Sequence, residues 1–337
     1  MVERKRVFTC FHRSYFTMYM FKYIMKRIGL MLMTFCIIML ASFILIKMLP
    51  VVITLAPGQD RDILEAQLKG RGYYDPILVQ LFNYLKRIIL HGDWGIGVNM
   101  PEFRNQPVWD VFVSQLPPTI LINVYSSLFA VPLGLLLGIY AALRKNKWQD
   151  HTISTLVMVL ISVPGYVTAF LLQYVVCFKL GWFPMTMESG YDYFSWAMFK
   201  SLVPAVLAMS FGSIAGYCRF TRAELTEVLT GEYLLLARTK GLTKRQSIFR
   251  HALRNAMVPI FPMIIGEFIS VLSGSLIIEQ IFAIPGVGRL YLNSIESLDY
   301  DFFMLLSAFY TFIGLAAGIL IDISYGFIDP RIRMGAK

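Results

Sequence analysis

"EYLLLARTKGLTKRQSIFRHALRNAMVP", residues 232–259, does not match what surrounds it. Long apolar stretches lie on both sides, yet this segment is basic and has helical spacing on either side of one glycine. Leu234, Leu235, Ala237 and Leu242 mark one apolar stripe; Ile248, Phe249, Ala252, Leu253 and Ala256 mark a second. Gly241 falls between them, where a helix can end and the chain can turn through a left-handed backbone. Pro259 is expected to close the second helix and lead into the next apolar run. The segment reads as a charged helical hairpin between two membrane spans. Periodicity alone leaves two explanations even: a basic loop obeying the positive-inside rule, and an amphipathic helix that docks in a partner's groove.

The spans themselves follow from composition. Of 337 residues, 57% are hydrophobic and only 15% charged, against roughly 25% charged in an average soluble domain. A span needs about 20 mostly apolar residues to cross the hydrocarbon layer. Six stretches qualify: 28–49, 119–143, 153–178, 201–218, 257–282 and 303–328. The first is too long for the apolar core of a signal peptide and is followed by no small-x-small cleavage site. With the N-terminus inside, the inner connections carry 21 Lys and Arg and the outer ones 8, which places both termini in the cytoplasm. The net charge of +10 is therefore a consequence of topology, and nucleic acid is not an expected partner. Cys10, Cys36, Cys177 and Cys218 form no CxxC pair, and His12, His91, His151 and His251 have no metal-ligand spacing, so no metal site is expected. Lys47, at the outer end of the first span, is expected to snorkel to the interface.

The organisation read from these boundaries is a basic N-terminal tail (1–27), the first span (28–49), an extracytoplasmic subdomain (50–116), a transmembrane core (117–328) with the cytoplasmic loop 219–256, and a short tail (329–337). Within the subdomain, "DPILVQLFNYLKRIIL" has helical spacing after an Asp-Pro start, and "HGDWGIG" ends that helix. Gly134/Gly138, Gly212/Gly216 and Gly314/Gly318 are Gly-x-x-x-Gly pairs that let helix backbones approach closely. Pro132, Pro164 and Pro204 are expected to kink their spans. Glu267, Glu279 and Asp322 are carboxylates within or at the ends of spans. Glu279 is placed near the outer interface, Asp322 near the inner end, and only Glu267 deep. Structural or gating roles are expected for all three.

Beyond these features the hairpin resembles the cytoplasmic signature loop of permease subunits in bacterial ABC importers of the oligopeptide/dipeptide family. "FKYIMKRIGLML", "GDWGIGV", "LPPTILI", "ALRKNKWQDHTIS", "LISVPGYV", "EQIFAIPGVGRLYLNSIESLDY" and "DPRIR" follow in the family's order. The long first outer connection is similar to that of the B-type permease. The general importer loop has Glu-Ala-Ala, a glycine four residues on and a proline soon after. Here Leu235 stands at the glutamate position, Ala237 at the second alanine and Gly241 at the glycine, with the proline late at Pro259, as in the peptide-permease variant.

The resemblance implies an all-α polytopic membrane protein, six helices in the type I ABC importer permease (MetI-like) fold, with a coupling helix that seats in a cleft of an ATP-hydrolysing subunit. Glu232, Ala237, Arg238, Lys240, Gly241, Asn255 and Pro259 would form this coupling loop. The chain has no Gly-Lys dipeptide and hence no P-loop. It is expected to be non-catalytic and to bind no cofactor, with ATP and Mg2+ on the partners. Those partners would be a second homologous permease, two ABC ATPase subunits, an extracytoplasmic substrate-binding protein and the lipid of a bacterial inner membrane. Di- and oligopeptides are the expected cargo; nickel, glutathione or another small solute is the alternative within the fold. An ion-coupled secondary transporter, the rival of another class, would show inverted repeats, broken helices at mid-membrane and deep ionisable residues, and a membrane hydrolase would need a nucleophile and base inside spans. No substrate-binding residue is singled out by the sequence.

Overall fold

A computed structural model describes residues 2–49, 61–190 and 192–328. The tail 329–337 and the first part of the long connection lie outside the described residues. The elements are α1 (Val2–Lys47), α2 (Arg61–Gly70), α3 (Ile77–His91), α4 (Val108–Leu143), α5 (Trp148–Ser162), α6 (Gly165–Leu172), α7 (Trp196–Leu229), α8 (Glu232–Thr239), α9 (Lys244–Ser247), α10 (Leu253–Ser270), α11 (Leu276–Ile281), α12 (Val287–Glu296) and α13 (Tyr300–Ile328). π-helical turns extend α6 through Gln173–Lys179 and join α9 to α10 through Ile248–Ala252. Among the described residues, five helices are long and apolar enough to cross a membrane: Lys22–Lys47, Val108–Leu143, Trp196–Leu229, Lys244–Ser270 and Tyr300–Tyr325. A bent pair, Trp148–Ser162 with Gly165–Lys179, at 95°, makes a sixth when counted as one span.

The bend lies at Val163–Pro164. Proline offers no N–H and pushes the preceding residue out of the helical region; Val163 accordingly sits at φ −89°, ψ 121°. Pro132 and Pro204, expected to act likewise, lie inside the continuous helices α4 and α7. The fifth span also departs from its expected limits. It starts at the hairpin and stops at Ser270, because Gly274 turns the chain at φ +64° and Ser275 then caps α11 through its hydroxyl.

α4 and α7 run in the same direction as the central pair. Ser126 meets Ser210 at 3.1 Å near their middle, and Ala142 and Leu225 share an apolar cluster at one end. The contact is close because of two glycines. A Cβ on Gly134 would strike Ile214 and Tyr217, and one on Gly138 would strike the backbone of Cys218 and the side chain of Thr221. Gly212, Gly216, Gly314 and Gly318 have nothing within 4 Å of a Cβ position. One of the three glycine pairs thus serves packing within this chain, and the other two face outward from it. At the end of the bundle that holds the hairpin, Arg222 of α7 grips both oxygens of the buried Asp150 of α5, with Nη2 2.8 Å from Oδ2. Arg27 of α1 meets Asp322 of α13 at 2.9 Å.

The opposite end is tied by carboxylates at the start of α13. Asp299 Oδ2 accepts from the N–H groups of Val98, Asn99 and Met100 at 2.7, 2.8 and 3.2 Å. Asp301 Oδ2 accepts from Ile96 N–H and Tyr73 O–H, both at 3.3 Å. The glycines of "GDWGIGV" make this possible: Gly95 stands at φ +100°, and Cβ atoms on Gly95 and Gly97 would collide with Asp301 and the Phe103 carbonyl. α3 packs Ile77, Leu81, Tyr84 and Ile88 against Phe43 of α1 and Met304 of α13. Lys47 does not snorkel outward. Its Nζ lies 4.3 Å from the ring centre of Tyr73 and 4.6 Å from that of Tyr300, an aromatic cage that offsets its burial.

Candidate functional site

The hairpin is built as two short helices around a left-handed turn. Gly231 starts α8, and Gly241 adopts φ +87° just after it. A Cβ at Gly241 would meet nothing within 4 Å, so the glycine is needed for its backbone angle and not for space. Thr243 opens α9 with a capping box. Its hydroxyl accepts from Gln246 N–H, and the Gln246 side chain accepts from Thr243 N–H at 3.1 Å. This fixes the direction of the second limb.

Two sides of α8 differ. Leu234 and Ala237 are buried; Leu234 shares an apolar cluster with Leu225, Ala252 and Ala256, a burial that contributes roughly 2 kcal/mol. Leu235 and Leu236 are 61% and 57% exposed, and Phe249 on the second limb is 56% exposed. Glu232, Arg238 and Lys240 are exposed as well, the acid in the first turn and the bases in or after the last, as the helix dipole favours. Beneath the hairpin a cavity of about 310 Å³ opens between α8, α9 and the ends of α4 and α7, lined by Leu143, Thr226, Leu229, Arg238 and Ile248 among others.

Of the residues picked from the sequence, the structure brings Glu232, Ala237, Arg238, Lys240 and Gly241 into α8 and its turn. Asn255 is exposed on α10. Pro259 does not close the second limb but lies inside α10, which runs unbroken to Ser270. The limb passes into the span through the π turn Ile248–Ala252, and such turns cluster at functional sites.

The sequence reading missed the roles of Thr119 and Asp299, and it set Glu279 near the outer interface without finding what that acid bonds to. Glu279 is fully buried. Its Oε1 accepts from Thr119 Oγ1 at 3.1 Å and Ser275 N–H at 3.3 Å, and its Oε2 from Arg289 N–H at 3.1 Å. Cβ atoms on Gly274, Gly286 or Gly288 would press on that carboxylate. The cluster of glycines around one acid was the available signal. Asp299 is buried too, and burial raises its pKa above the ordinary value while its backbone donors pull the other way. No group of three or more metal-ligating side chains occurs among the described residues.

Residues 134–334, which contain the hairpin, match the family of binding-protein-dependent transport system inner membrane components. The chain belongs to that family. It is 34% identical over 325 residues to the dipeptide transport system permease protein DppB of Bacillus subtilis (strain 168), covering 94% of this chain and 100% of that protein. It is 32% identical over 315 residues to DppB of Lactococcus lactis subsp. cremoris (strain MG1363), covering 94% and 100%. The glutathione transport system permease protein GsiC of Escherichia coli (strain K12) is 30% identical over 317 residues, covering 93% and 99%. As a member of a permease family the chain is an all-α, multi-pass membrane protein, and the expectation that it is a non-catalytic transport subunit stands with that membership.

Proposed function

We propose that this chain forms half of the translocation path of an ATP-driven importer for short peptides, and that α8 is its coupling helix. The observation that carries the reading is the division of α8. One side is anchored by Leu234 and Ala237, while Leu236 and Lys240, exposed and outside the cavity lining, are offered to a partner. A helix held at one side and bare at the other transmits a push, and the cavity behind it leaves room for it to shift. The partners on this reading are a second permease, two ATPase subunits and an extracytoplasmic binding protein, with ATP and Mg2+ on the ATPases. The hairpin end and both termini are then cytoplasmic, as the 21 to 8 division of Lys and Arg supports.

Closure of the ATPases on ATP would move α8 and shift the population between inward- and outward-facing states. Peptide cargo is supported by the two dipeptide relatives, and the glutathione relative favours a second reading in which the solute is a small thiol peptide. The test is purification of the tagged chain in mild detergent, followed by identification of its companions. Recovery of a second permease and a P-loop ATPase is expected, and Gly241→Asp should lose the ATPase while still inserting in the membrane. Undiminished ATP-driven uptake by that variant would overturn the coupling assignment.

A further inference from the structure

Among the described residues, three carboxylates on the span helices face an arginine. Asp150 is held by Arg222, Asp322 by Arg27, and Asp301 lies 4.0 Å from Arg87. Asp110 stands in the first turn of α4, and Glu224 and Glu227 stand in the last two turns of α7, where water is near. Glu267, half-buried on α10, has no cation within 4 Å among the described residues. Its side-chain partner is Ser213, whose hydroxyl donates at 3.0 Å. Ser213 stands midway along α7, and one turn on Tyr217 donates to the Met263 carbonyl at 3.1 Å, which holds this stretch of α10 at the same height.

A carboxylate carried by a membrane span does not persist against acyl chains; it faces water, a counter-ion or protein. Among the described residues, Ser213 covers one side of Glu267 and leaves the carboxylate half-exposed. Gly212 is exposed, and neither Gly212 nor Gly216 has an atom within 4 Å of its Cβ position. Ser270, one turn beyond Glu267, is exposed too. The result is a face with two hydroxyls, no bulk on the α7 side, and one carboxyl group with no arginine or lysine within 4 Å among the described residues.

We propose that this face of α7 and α10 lines the solute path and that Glu267 is a passing counter-ion for a cationic group of the solute, which in a short peptide is its free α-ammonium. The open glycines give a peptide backbone room to pass, and the serine hydroxyls offer it hydrogen bonds in place of water. A carboxylate already neutralised by arginine could not serve in this way. The inference rests on the permease reading above and adds to it a binding residue.

The test places a reporter thiol in the face. In the full importer, with Cys10, Cys36, Cys177 and Cys218 replaced by alanine, Gly216→Cys is reacted with a quaternary-ammonium thiosulfonate and with a sulfonate-bearing one of similar size. Gly212→Cys serves if the first variant fails to fold. Relative to the ratio of the two reagents' rates with a small free thiol in water, the cationic reagent is expected to be favoured by about tenfold or more, as a focused field in a narrow cleft produces, and the ratio should fall back towards the free-thiol value when Glu267→Gln is added. No reaction with either reagent means that lipid or protein covers the face, and the proposal fails. A reaction with no preference, or one that Glu267→Gln leaves unchanged, overturns the counter-ion role. Whether a P-loop ATPase accompanies the chain is read from the same preparation, so failure of the permease assignment is seen separately.

Discussion

Thr119 Oγ1 donates to Glu279 Oε1 at 3.1 Å and at the same time accepts from Val287 N–H at 2.8 Å, which ties α4 to both sides of the loop between α11 and α12. One hydroxyl thus satisfies a buried acid and a buried amide. Thr119→Val keeps the shape but leaves the Val287 N–H unpaired and takes one of the two donors from Glu279 Oε1, at a cost of about 1–3 kcal/mol for the buried amide. The melting temperature of the purified chain in detergent should fall, and Thr119→Ser should restore most of it. A valine variant as stable as the parent would mean that water replaces the hydroxyl.

The glycine pairs make a second prediction because their surroundings differ. Gly138→Val would force α4 from α7, where Cys218 and Thr221 leave no room; overpacking of this kind costs about 1–3 kcal/mol or more. Gly314→Val carries the same change in helix propensity into open space. Size-exclusion profiles of a fluorescent fusion should show loss of folded chain for the first and an unchanged peak for the second. If Gly314→Val instead releases a co-purifying permease, that pair belongs to the interface between subunits. Equal loss for both would indicate that helix propensity and not packing is responsible.

How far the sequence could be read is clearest at its Val-Pro pairs. Val131–Pro132, Val163–Pro164, Val203–Pro204 and Val258–Pro259 are locally alike, yet only the second breaks its helix. Pro204 is buried and Pro259 half-buried, but Pro132 is as exposed as Pro164, so exposure does not separate them; what differs beside Pro164 is the helix-weakening Gly165 that follows it. Apolar length and a charged interruption are local properties, so the spans and the hairpin were legible. The pairings of Arg222 with Asp150, Thr119 with Glu279 and Val98 with Asp299 join residues 72, 160 and 201 positions apart. They exist only once the helices are packed, and one sequence carries no mark of which acid meets which donor.

Asp299 yields a pH prediction. Burial raises its carboxyl above the ordinary value of 3.8, against the pull of the backbone N–H groups of Asn99, Val98 and Met100. Between that value and the raised one, the folded chain keeps a proton that the unfolded chain has released. Stability from this group is therefore fully present below 3.8 and is lost as pH rises through the raised value. Asp299→Asn keeps an acceptor oxygen for the three N–H groups and cannot ionise. Its stability should lack that falling component, seen as a shallower decline as pH rises above 3.8 relative to the parent. Parallel profiles for the two proteins would show that the folded and unfolded carboxyls titrate alike.

Lys47 tests whether the α3 subdomain is held by charge as well as by area. Its ammonium is surrounded by Tyr73 before α3, Tyr300 at the start of α13 and Phe43 on its own helix, the last at 5.9 Å. The apolar contacts of α3 with Phe43 and Met304 do not involve the charge. Lys47→Met therefore keeps the stem and most of the packing while removing the cation, and should cost about 1–2 kcal/mol, the range for a desolvated cation over aromatic rings. The loss should appear locally, as faster amide exchange across Ile77–His91 with the α4 and α7 amides unchanged. Tyr73→Leu should cost less in the Lys47→Met background than in the parent, because the two changes remove the same interaction. Additive costs would mean that the cage is incidental and that apolar contact alone docks α3.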